Sequence, residues 1–156
     1  MNAILIKAIY NKLVESILCD SAETEDQPKG IFNGLSATTI SALADLATLQ
    51  YGGDKEKTQN VWLISPKAKA EILKLNPTIF NDGKFLGGDY ILENRMQDGY
   101  IAYLPLDLLV VAQFGIVEIC TDNVTDAINA NTKVYIDTYF DFDFLDNTKI
   151  QLGVFE

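Results

Sequence analysis

A strict two-residue alternation between Val134 and Phe144 constrains this fold more than any other feature of the sequence. One set of alternate positions is mostly apolar: Val134, Ile136, Thr138, Phe140, Phe142 and Phe144. The positions between them are acidic or tyrosyl: Tyr135, Asp137, Tyr139, Asp141 and Asp143. Because successive side chains of a strand point to opposite faces, the pattern predicts one long, half-buried strand over residues 133–145. We expect Ile136, Phe140, Phe142 and Phe144 to point inward or into an interface.

Helical periods dominate the first half of the chain. Apolar residues at helical spacing predict three helices: residues 3–18, 39–50 and 66–75. Ser36 and Thr38 are candidate N-caps of the second helix. Ser65 and Pro66 are a favourable N-cap and first residue for the third.

Short apolar runs rich in β-branched and aromatic residues predict the strands. They cover residues 60–65, 100–104 and 116–120, with a last strand in KIQLGVF after a turn at Asp146 and Asn147, and residues 31–35 are predicted to be a short extended segment. Turn residues between 78 and 99 predict short hairpin strands, and residues 121–132 are polar and turn-like. The run 106–114 fits a helix and a strand equally well. This order predicts an α+β fold, with helices flanking a central antiparallel or mixed sheet and a long terminal strand pair extending from it.

The length of 156 residues suits a single folded unit with a core of its own. Hydrophobic residues make up 48% and charged residues 22%, as in ordinary globular domains. We divide the unit approximately into a helix and entry segment over residues 1–35, a central lobe over 36–132, and long terminal strands over 133–156.

Charge and composition exclude several classes of function. The formal net charge of −10 opposes binding to phosphate backbones, so we expect no direct nucleic-acid partner. The chain has no histidine, which removes Ser-His and Cys-His catalysis and histidine-metal sites. No serine lies in a G-x-S-x-G motif. We therefore expect neither an enzyme nor a cofactor.

The start of the chain, MNAILIKAIYNKLVESILCD, is interrupted early by Lys7. Its apolar run is too short for a signal peptide or a membrane span, so we expect an intracellular, soluble protein without a membrane partner. Cys19 and Cys120 lie far apart, which is typical of two buried small hydrophobic residues. One disulfide between them stays open at this point.

Two groups of residues resemble ligand sites only superficially. Asp141, Asp143 and Asp146 form a D-x-D-x-x-D run, but carboxylates along a flat strand do not converge on a calcium ion. We interpret them as an acidic strand face that opposes edge pairing. The two Gly-Gly-Asp sequences at 52–54 and 87–89 lack the Gly-Lys-Ser/Thr sequence and the strand-loop-helix context of phosphate-binding loops, and are interpreted as ordinary turns.

Two further residues are singled out by their rarity. Trp62 is the sole tryptophan, and we expect it and Ile64 to be buried between helices 39–50 and 66–75. Arg95 is the sole arginine; we interpret it as solvated, with a carboxylate of a neighbouring chain as the alternative partner.

Several short motifs occur in a suggestive order. They are Pro28-Lys29-Gly30-Ile31, Val61-Trp62-Leu63-Ile64-Ser65-Pro66, Gly83-Lys84-Phe85-Leu86, and the strand pattern of residues 100–155. This order resembles the C-terminal part of the major capsid protein of tailed bacteriophages, a fold shared with encapsulin shells. The resemblance covers about residues 28–156, and residues 3–18 match the long helix that precedes this part.

The resemblance implies a structural, phage-type (prophage) shell subunit, or a fragment of one, that acts by self-association. It places the protein in a virion capsid or, prophage-encoded, in the bacterial cytoplasm. The central lobe would be the axial one, with Ile79–Gly99 pointing toward the symmetry axis of a capsomer. The implied subunit interface consists of Phe80, Phe85, Leu86, Tyr90, Arg95 and Met96.

Members of this family are usually longer, with an N-terminal arm and an extended hairpin loop that would lie before Met1. We therefore expect a fragment, a degraded prophage product or a minimal relative, with weak self-association and no covalent crosslinking. Two alternatives stay open: a small-molecule binding module or enzyme with an α+β core, and a phage-derived interaction protein that no longer forms shells.

Overall fold

The structure is a computed structural model that describes residues 2–25, 27–53, 59–122 and 133–155. Its helices are α1 (Asn2–Ile17), α2 (Leu43–Gly52) and α3 (Pro66–Leu75). Its strands are β1 (Thr38–Thr39), β2 (Asn60–Ile64), β3 (Phe80–Asn81), β4 (Lys84–Phe85), β5 (Gly88–Leu92), β6 (Tyr100–Pro105), β7 (Leu109–Asp122), β8 (Lys133–Phe144) and β9 (Gln151–Val154). Single 3-10 turns cover Leu106–Leu108 and Asn147–Lys149. None of the described helices is both long and apolar enough to cross a membrane.

The strands form two sheets. Seven of them make a mixed sheet in the order β1-β9-β6-β2-β5-β4-β3, in which β1 is parallel to β9 and β2 is parallel to β5. The two long strands β7 and β8 pair with each other as a separate antiparallel ribbon. Helices around a mixed sheet confirm the predicted α+β fold.

The two strands at the middle of the sheet, β2 and β6, are buried on both faces, and side-chain alternation divides their residues between two cores. On one face, Trp62 and Ile64 of β2 pack with α2 and α3, and neither is exposed to solvent. On the other face, Leu63 packs with the end of α1 and with Phe142 and Phe144 of the ribbon. A strand covered on both faces needs a continuous apolar run, which NVWLI supplies.

Helix α3 begins as the sequence predicts. The Ser65 hydroxyl oxygen accepts a hydrogen bond from the Ala68 N–H at 3.3 Å, and Pro66 occupies the first helical turn. The cap fixes the helix directly after β2, so α3 packs back over Trp62 and Ile64. Their predicted burial beside the second and third helices is confirmed.

Helix α2 begins at Leu43, so the predicted start at residue 39 and the predicted caps are wrong. Thr38 and Thr39 instead pair with β9, and the Ile40 N–H donates to the Val154 carbonyl at 2.8 Å. The Asp45 carboxylate accepts hydrogen bonds from the N–H groups of Ser41 and Ala42, both at 2.8 Å. These backbone donors lower the pKa of Asp45 and fix where the helix starts.

Residues 31–35 form turns, so their prediction as an extended segment is wrong. The Asn33 N–H donates to the Gly30 carbonyl and the Leu35 N–H to the Phe32 carbonyl. Gly34 has a φ of +77°, a conformation that favours glycine. The turns let Ile31 and Phe32 bury their side chains beneath α1 instead of extending a strand.

The long strand predicted over 133–145 is confirmed as β8, but the partner expected for it is wrong. β8 pairs with β7, in which residues 109–114 of the undecided run continue, through a shift of register after Phe114, into the predicted strand 116–120. The last strand, β9, is short and pairs with β6 inside the central sheet. The turn at Asp146 accounts for this, because the chain leaves the ribbon there and Ile150 enters the core.

The inward face of β8 is also as predicted where it is described. Phe142 is 6% exposed and Phe144 3%, while Phe140 is partly buried. The side chain of Ile136 lies outside the described side chains, as do the residues 123–132 predicted as a turn. The division into segments 1–35, 36–132 and 133–156 stays a prediction.

Candidate assembly surfaces

The turn-rich segment 79–99 is held together by aromatic packing. Phe85 is fully buried, its ring 5.0 Å from the Trp62 ring and 4.9 Å from the Phe80 ring. Tyr90 packs edge-on against Phe80 at 5.1 Å, and the Lys69 ammonium lies over both of these rings. Of the residues implied at an interface, Phe85 and Met96 belong to the core of the chain itself. Phe80, Leu86 and Tyr90 are partly buried against that core, and their role at an interface stays a prediction.

Leu86 has an unusual backbone for a bulky residue. Its φ is +49°, followed by +77° at Gly87, so the two residues make the tight hairpin turn between β4 and β5. Left-handed backbone is rare for non-glycine residues and is retained where the surroundings impose it. Here the Gln50 amide donates to the Leu86 carbonyl at 3.1 Å, which ties the turn to α2.

The exposed apolar residues of this segment are ones that the sequence analysis did not single out. Ile91 is 42% exposed and Leu92 44%, both on β5. They lie in a predicted hairpin strand, and the sequence does not indicate that the side chains at this end of β5 are exposed. Consecutive apolar residues on a strand point to opposite faces, so the Ile91-Leu92 pair indicates that β5 needs cover on both sides.

Arg95 forms a clasp between the central lobe and α1. Its Nε donates to Glu93 Oε1 and its Nη2 to Glu93 Oε2, both at 2.6 Å. Its Nη1 donates to Asn11 Oδ1 at 3.1 Å. The guanidinium lowers the pKa of Glu93, and the carboxylate raises the pKa of Arg95. The interpretation of Arg95 as a lone solvated residue is therefore wrong, while a neighbouring chain as partner stays a prediction.

The ribbon and α1 both carry apolar residues beyond the core. On β7, Phe114 is 56% exposed, Ile116 74% and Ile119 53%. On α1, Ile6 is 58% exposed and Tyr10 65%, although Ile17 on the same helix is 7% exposed. Large exposed apolar side chains that cluster on projecting elements are typical of surfaces that meet another protein.

An open groove of about 440 Å³ separates α1 from the ribbon. Its walls are Ile9 and Leu13 of α1 on one side and Phe140 and Phe142 of β8 on the other. Lys12 and Asp137 contribute charged groups to its lining. Helix α1 therefore covers the face of the ribbon that carries the even-numbered residues of β8.

The opposite face of the ribbon is acidic. We call it the outer ribbon face: Val110, Ala112, Phe114 and Glu118 of β7, with Asp137, Tyr139, Asp141 and Asp143 of β8. The Asp141 side chain accepts the Phe142 N–H at 2.9 Å, and the Asp143 side chain accepts the Phe144 N–H at 2.8 Å. These bonds satisfy backbone donors of β8 locally, as expected for residues that oppose edge pairing. Among the described residues, no three cysteine or acidic side chains are placed to hold a metal ion.

The two cysteines are free thiols in different surroundings. Cys19 is partly buried, and its thiol donates to the Ser16 carbonyl at 3.0 Å. Cys120 is exposed on β7, so its expectation as a buried hydrophobic residue is wrong. The alternating pattern of IVEIC predicts a strand correctly, but it does not indicate which face of that strand is buried.

Comparison with solved structures identifies the architecture. The chain superposes on the capsid of a native GTA particle with a TM-score of 0.70 at 16% identity, over 99% of this chain and 72% of that one. It superposes on a virus-like particle from Pyrococcus furiosus with a TM-score of 0.59 at 14% identity, over 96% of this chain and 62% of that one. For the satellite phage P4 procapsid the TM-score is 0.62 at 12% identity, over 98% and 64% of the two chains. No family model and no curated protein sequence matches.

These matches show a shared fold at sequence identities too low for alignment alone. They extend over nearly all of this chain, which spans 66% of the chain in an empty GTA capsid and 64% of that in the P4 procapsid. The predicted resemblance and fold are thereby confirmed.

Proposed function

We propose that this chain, which has the fold of tailed-phage capsid proteins, is a shell subunit or the central part of one. The observation that carries the proposal is the agreement of the fold with capsid chains over 95–99% of its length. Its function would be structural and its partner a further copy of itself. The compartment that follows is a virion capsid or, before assembly, the cytoplasm of a bacterium that carries the gene as a prophage.

The surface supports self-association through many small contacts. Shells repeat a few modest interfaces between identical chains, so each contact needs little area. Exposed apolar residues occur on three different elements, α1, β5 and the ribbon. Exposed apolar side chains on several elements suit a subunit that touches more than one neighbour.

We also propose that the segment 79–99 meets a neighbouring copy near a symmetry axis. Phe80, Leu86 and Tyr90 are only partly covered by their own chain, and Ile91 and Leu92 add exposed apolar area beside them. Two tight turns with positive φ at residues 82–83 and 86–87 hold these side chains in place. A preformed apolar edge of this kind loses little conformational entropy on contact.

The function would involve no catalysis and no cofactor. A capsid-like fold is typical of structural proteins, and the sequence lacks histidine. The net charge of −10 would also keep the shell wall from adhering to packaged nucleic acid.

Size-exclusion chromatography with electron microscopy tests the proposal. We expect concentration-dependent oligomers with ring-like or curved arrangements when the protein is concentrated. A discrete small complex with other proteins only would favour an interaction protein of phage origin. A large thermal shift with a small-molecule library, and no self-association, would favour a binding module or enzyme.

A further inference from the structure

A single apolar stripe runs along α1, and only half of it is covered. Ile6, Tyr10, Leu13 and Ile17 follow each other at helical spacing. Ile17 is buried and Leu13 partly buried, whereas Ile6 is 58% exposed and Tyr10 65%. Neither Ile6 nor Tyr10 lines the groove against the ribbon. The stripe thus continues past the core onto a free helix surface.

The charge of this half-helix is opposite to that of the rest of the chain. The first fourteen residues contain Lys7 and Lys12 and no acidic residue, although the whole chain has 22 acidic and 12 basic residues. Tyr10 lies three positions after Lys7 and four after Ile6, so its side chain adjoins both of them on the helix surface. The exposed half of α1 therefore presents an apolar patch with a positive charge beside it.

The outer ribbon face has the complementary character. Its eight residues include four carboxylates and no lysine or arginine. Glu118 lies directly opposite Asp137 across the ribbon, and two like charges in this position destabilise a strand pair. Phe114 and Tyr139 are 56% and 72% exposed and face each other across the ribbon. This aromatic pair lies between the Glu118–Asp137 pair and Asp141. A surface that carries a cation beside apolar side chains would complement both the carboxylates and the exposed rings.

The helix cannot reach this face within one chain. Helix α1 lies along the opposite face of its own ribbon, where Ile9 and Leu13 adjoin Phe140 and Phe142. Apart from Asp137, which also borders the groove, the residues of the outer ribbon face lie on the other side of the ribbon. A partner for these residues therefore comes from another molecule.

We propose that the exposed half of α1 docks on the outer ribbon face of a second copy of this chain, in a head-to-tail contact. The inference rests on the proposed function and names the contact that the shell would repeat. The two surfaces are different, so the contact does not close on itself in a pair and can propagate from copy to copy. Lys7 would lie among the carboxylates, with Ile6 and Tyr10 against Phe114 and Tyr139.

Complementary variants of the full chain test this contact by sedimentation velocity. The helix variant is Lys7→Glu with Tyr10→Ser. The ribbon variant is Glu118→Lys with Asp141→Asn, since Glu118 does not line the groove and asparagine keeps the acceptor for the Phe142 N–H. Each variant alone should self-associate at least about tenfold more weakly than the parent chain, because like charges then meet.

An equimolar mixture of the two variants distinguishes a head-to-tail contact from a general charge effect. The intact ribbon of the helix variant can still bind the intact helix of the ribbon variant. The mixture should therefore recover a complex of parental affinity through this intact pair of surfaces. Lys67→Glu serves as the control, because it makes the same charge change on an exposed residue of α3 and should leave association unchanged.

The outcomes separate the contact from the function. Parental self-association in both variants, or a mixture without a recovered complex, would overturn the contact and leave the shell function standing. A parent chain that stays monomeric at every concentration would overturn both. Circular dichroism of each variant confirms that the loss of association is not a loss of folding.

Discussion

Truncation of Trp62 probes the packing on which the whole central sheet depends. The side chain is fully buried in the middle of β2, between α2 and α3. Its ring lies 5.0 Å from the Phe85 ring and 4.6 Å from the Tyr103 ring. The change Trp62→Ala removes these contacts at once and leaves a cavity that rigid neighbours on two elements cannot fill.

The expected loss of unfolding free energy follows from the burial of Trp62. Truncation of a fully buried aromatic residue to alanine costs about 3–5 kcal/mol. Each aromatic pair adds about 0.5–1.5 kcal/mol beyond its area, so we expect a loss in the upper half of that range. Trp62→Phe should cost only about 1–2 kcal/mol, since it keeps most of the apolar volume. It also removes an indole N–H that has no hydrogen-bond partner within the described residues.

Urea unfolding followed by far-ultraviolet circular dichroism measures these losses. Tryptophan fluorescence is unsuitable, because Trp62 is the sole tryptophan. Tyr139→Ala is the control, since Tyr139 is 72% exposed and its truncation should change the free energy of unfolding by less than about 0.5 kcal/mol. A loss below about 1 kcal/mol for Trp62→Ala would refute the argument and show that β2 is peripheral to the fold.

Three other outcomes follow from the geometry. Hydrogen bonds from the neighbouring guanidinium lower the pKa of Glu93, so its stabilising effect is complete above the ordinary glutamate pKa of about 4.3 and is lost as the pH falls through the lowered value. Glu93→Gln should therefore flatten the acid side of a Tm–pH curve, and an acid side as steep as that of the parent would contradict the clasp. Gly30→Ala should lower the free energy of unfolding by about 1–3 kcal/mol in urea titrations, because the new Cβ would overlap the backbone carbonyl of Cys19; parental stability would contradict the close approach. Asp141→Ala with Asp143→Ala should raise light scattering on storage, because two backbone donors of β8 lose their local acceptors.

Matched variants isolate the cause in each case. Gly52→Ala adds a methyl group that meets only the flexible end of Gln151, so it should be tolerated where Gly30→Ala is not. Asp141→Asn with Asp143→Asn keeps the acceptors and removes the charge. If the asparagine variant aggregates as fast as the alanine variant, charge rather than capping protects the edge of β8.

The sequence carries enough information for the elements whose signal is local. The alternation of residues 134–144 predicts β8 because one face is buried along part of its length, and Ser65 with Pro66 predicts α3 because the cap is complete within a few residues. Asp82-Gly83 likewise gives a tight hairpin turn, with φ values of +49° and +74°. In each case the determinants lie within one turn or one strand.

The misassigned elements depend on contacts between distant residues. Thr38 and Thr39 form a strand only because β9, more than a hundred residues later, lies beside them. β8 pairs with β7 rather than β9, since the chain turns into the core between Phe142 and Ile150 and β9 then pairs with β6. The role of Arg95 depends on Asn11, 84 positions away, which no local pattern indicates.

The candidate surfaces were predictable only in part for the same reason. Apolar residues in the segment 79–99 are visible in the sequence, but their division between core and surface is decided by tertiary packing. Phe85 and Met96 are buried, whereas Ile91 and Leu92 are exposed. Hydrophobicity alone does not distinguish these two pairs.

Sedimentation velocity of the unmodified chain, over about 1–100 µM, tests the central claim most directly. A shell subunit with small contacts should be monomeric or a small oligomer at the low end and should associate progressively at the high end. Electron microscopy of the concentrated fractions should then show rings or curved sheets of repeated copies. A sedimentation coefficient that stays at the monomer value across the whole range, with no ordered assemblies in the images, would contradict the account.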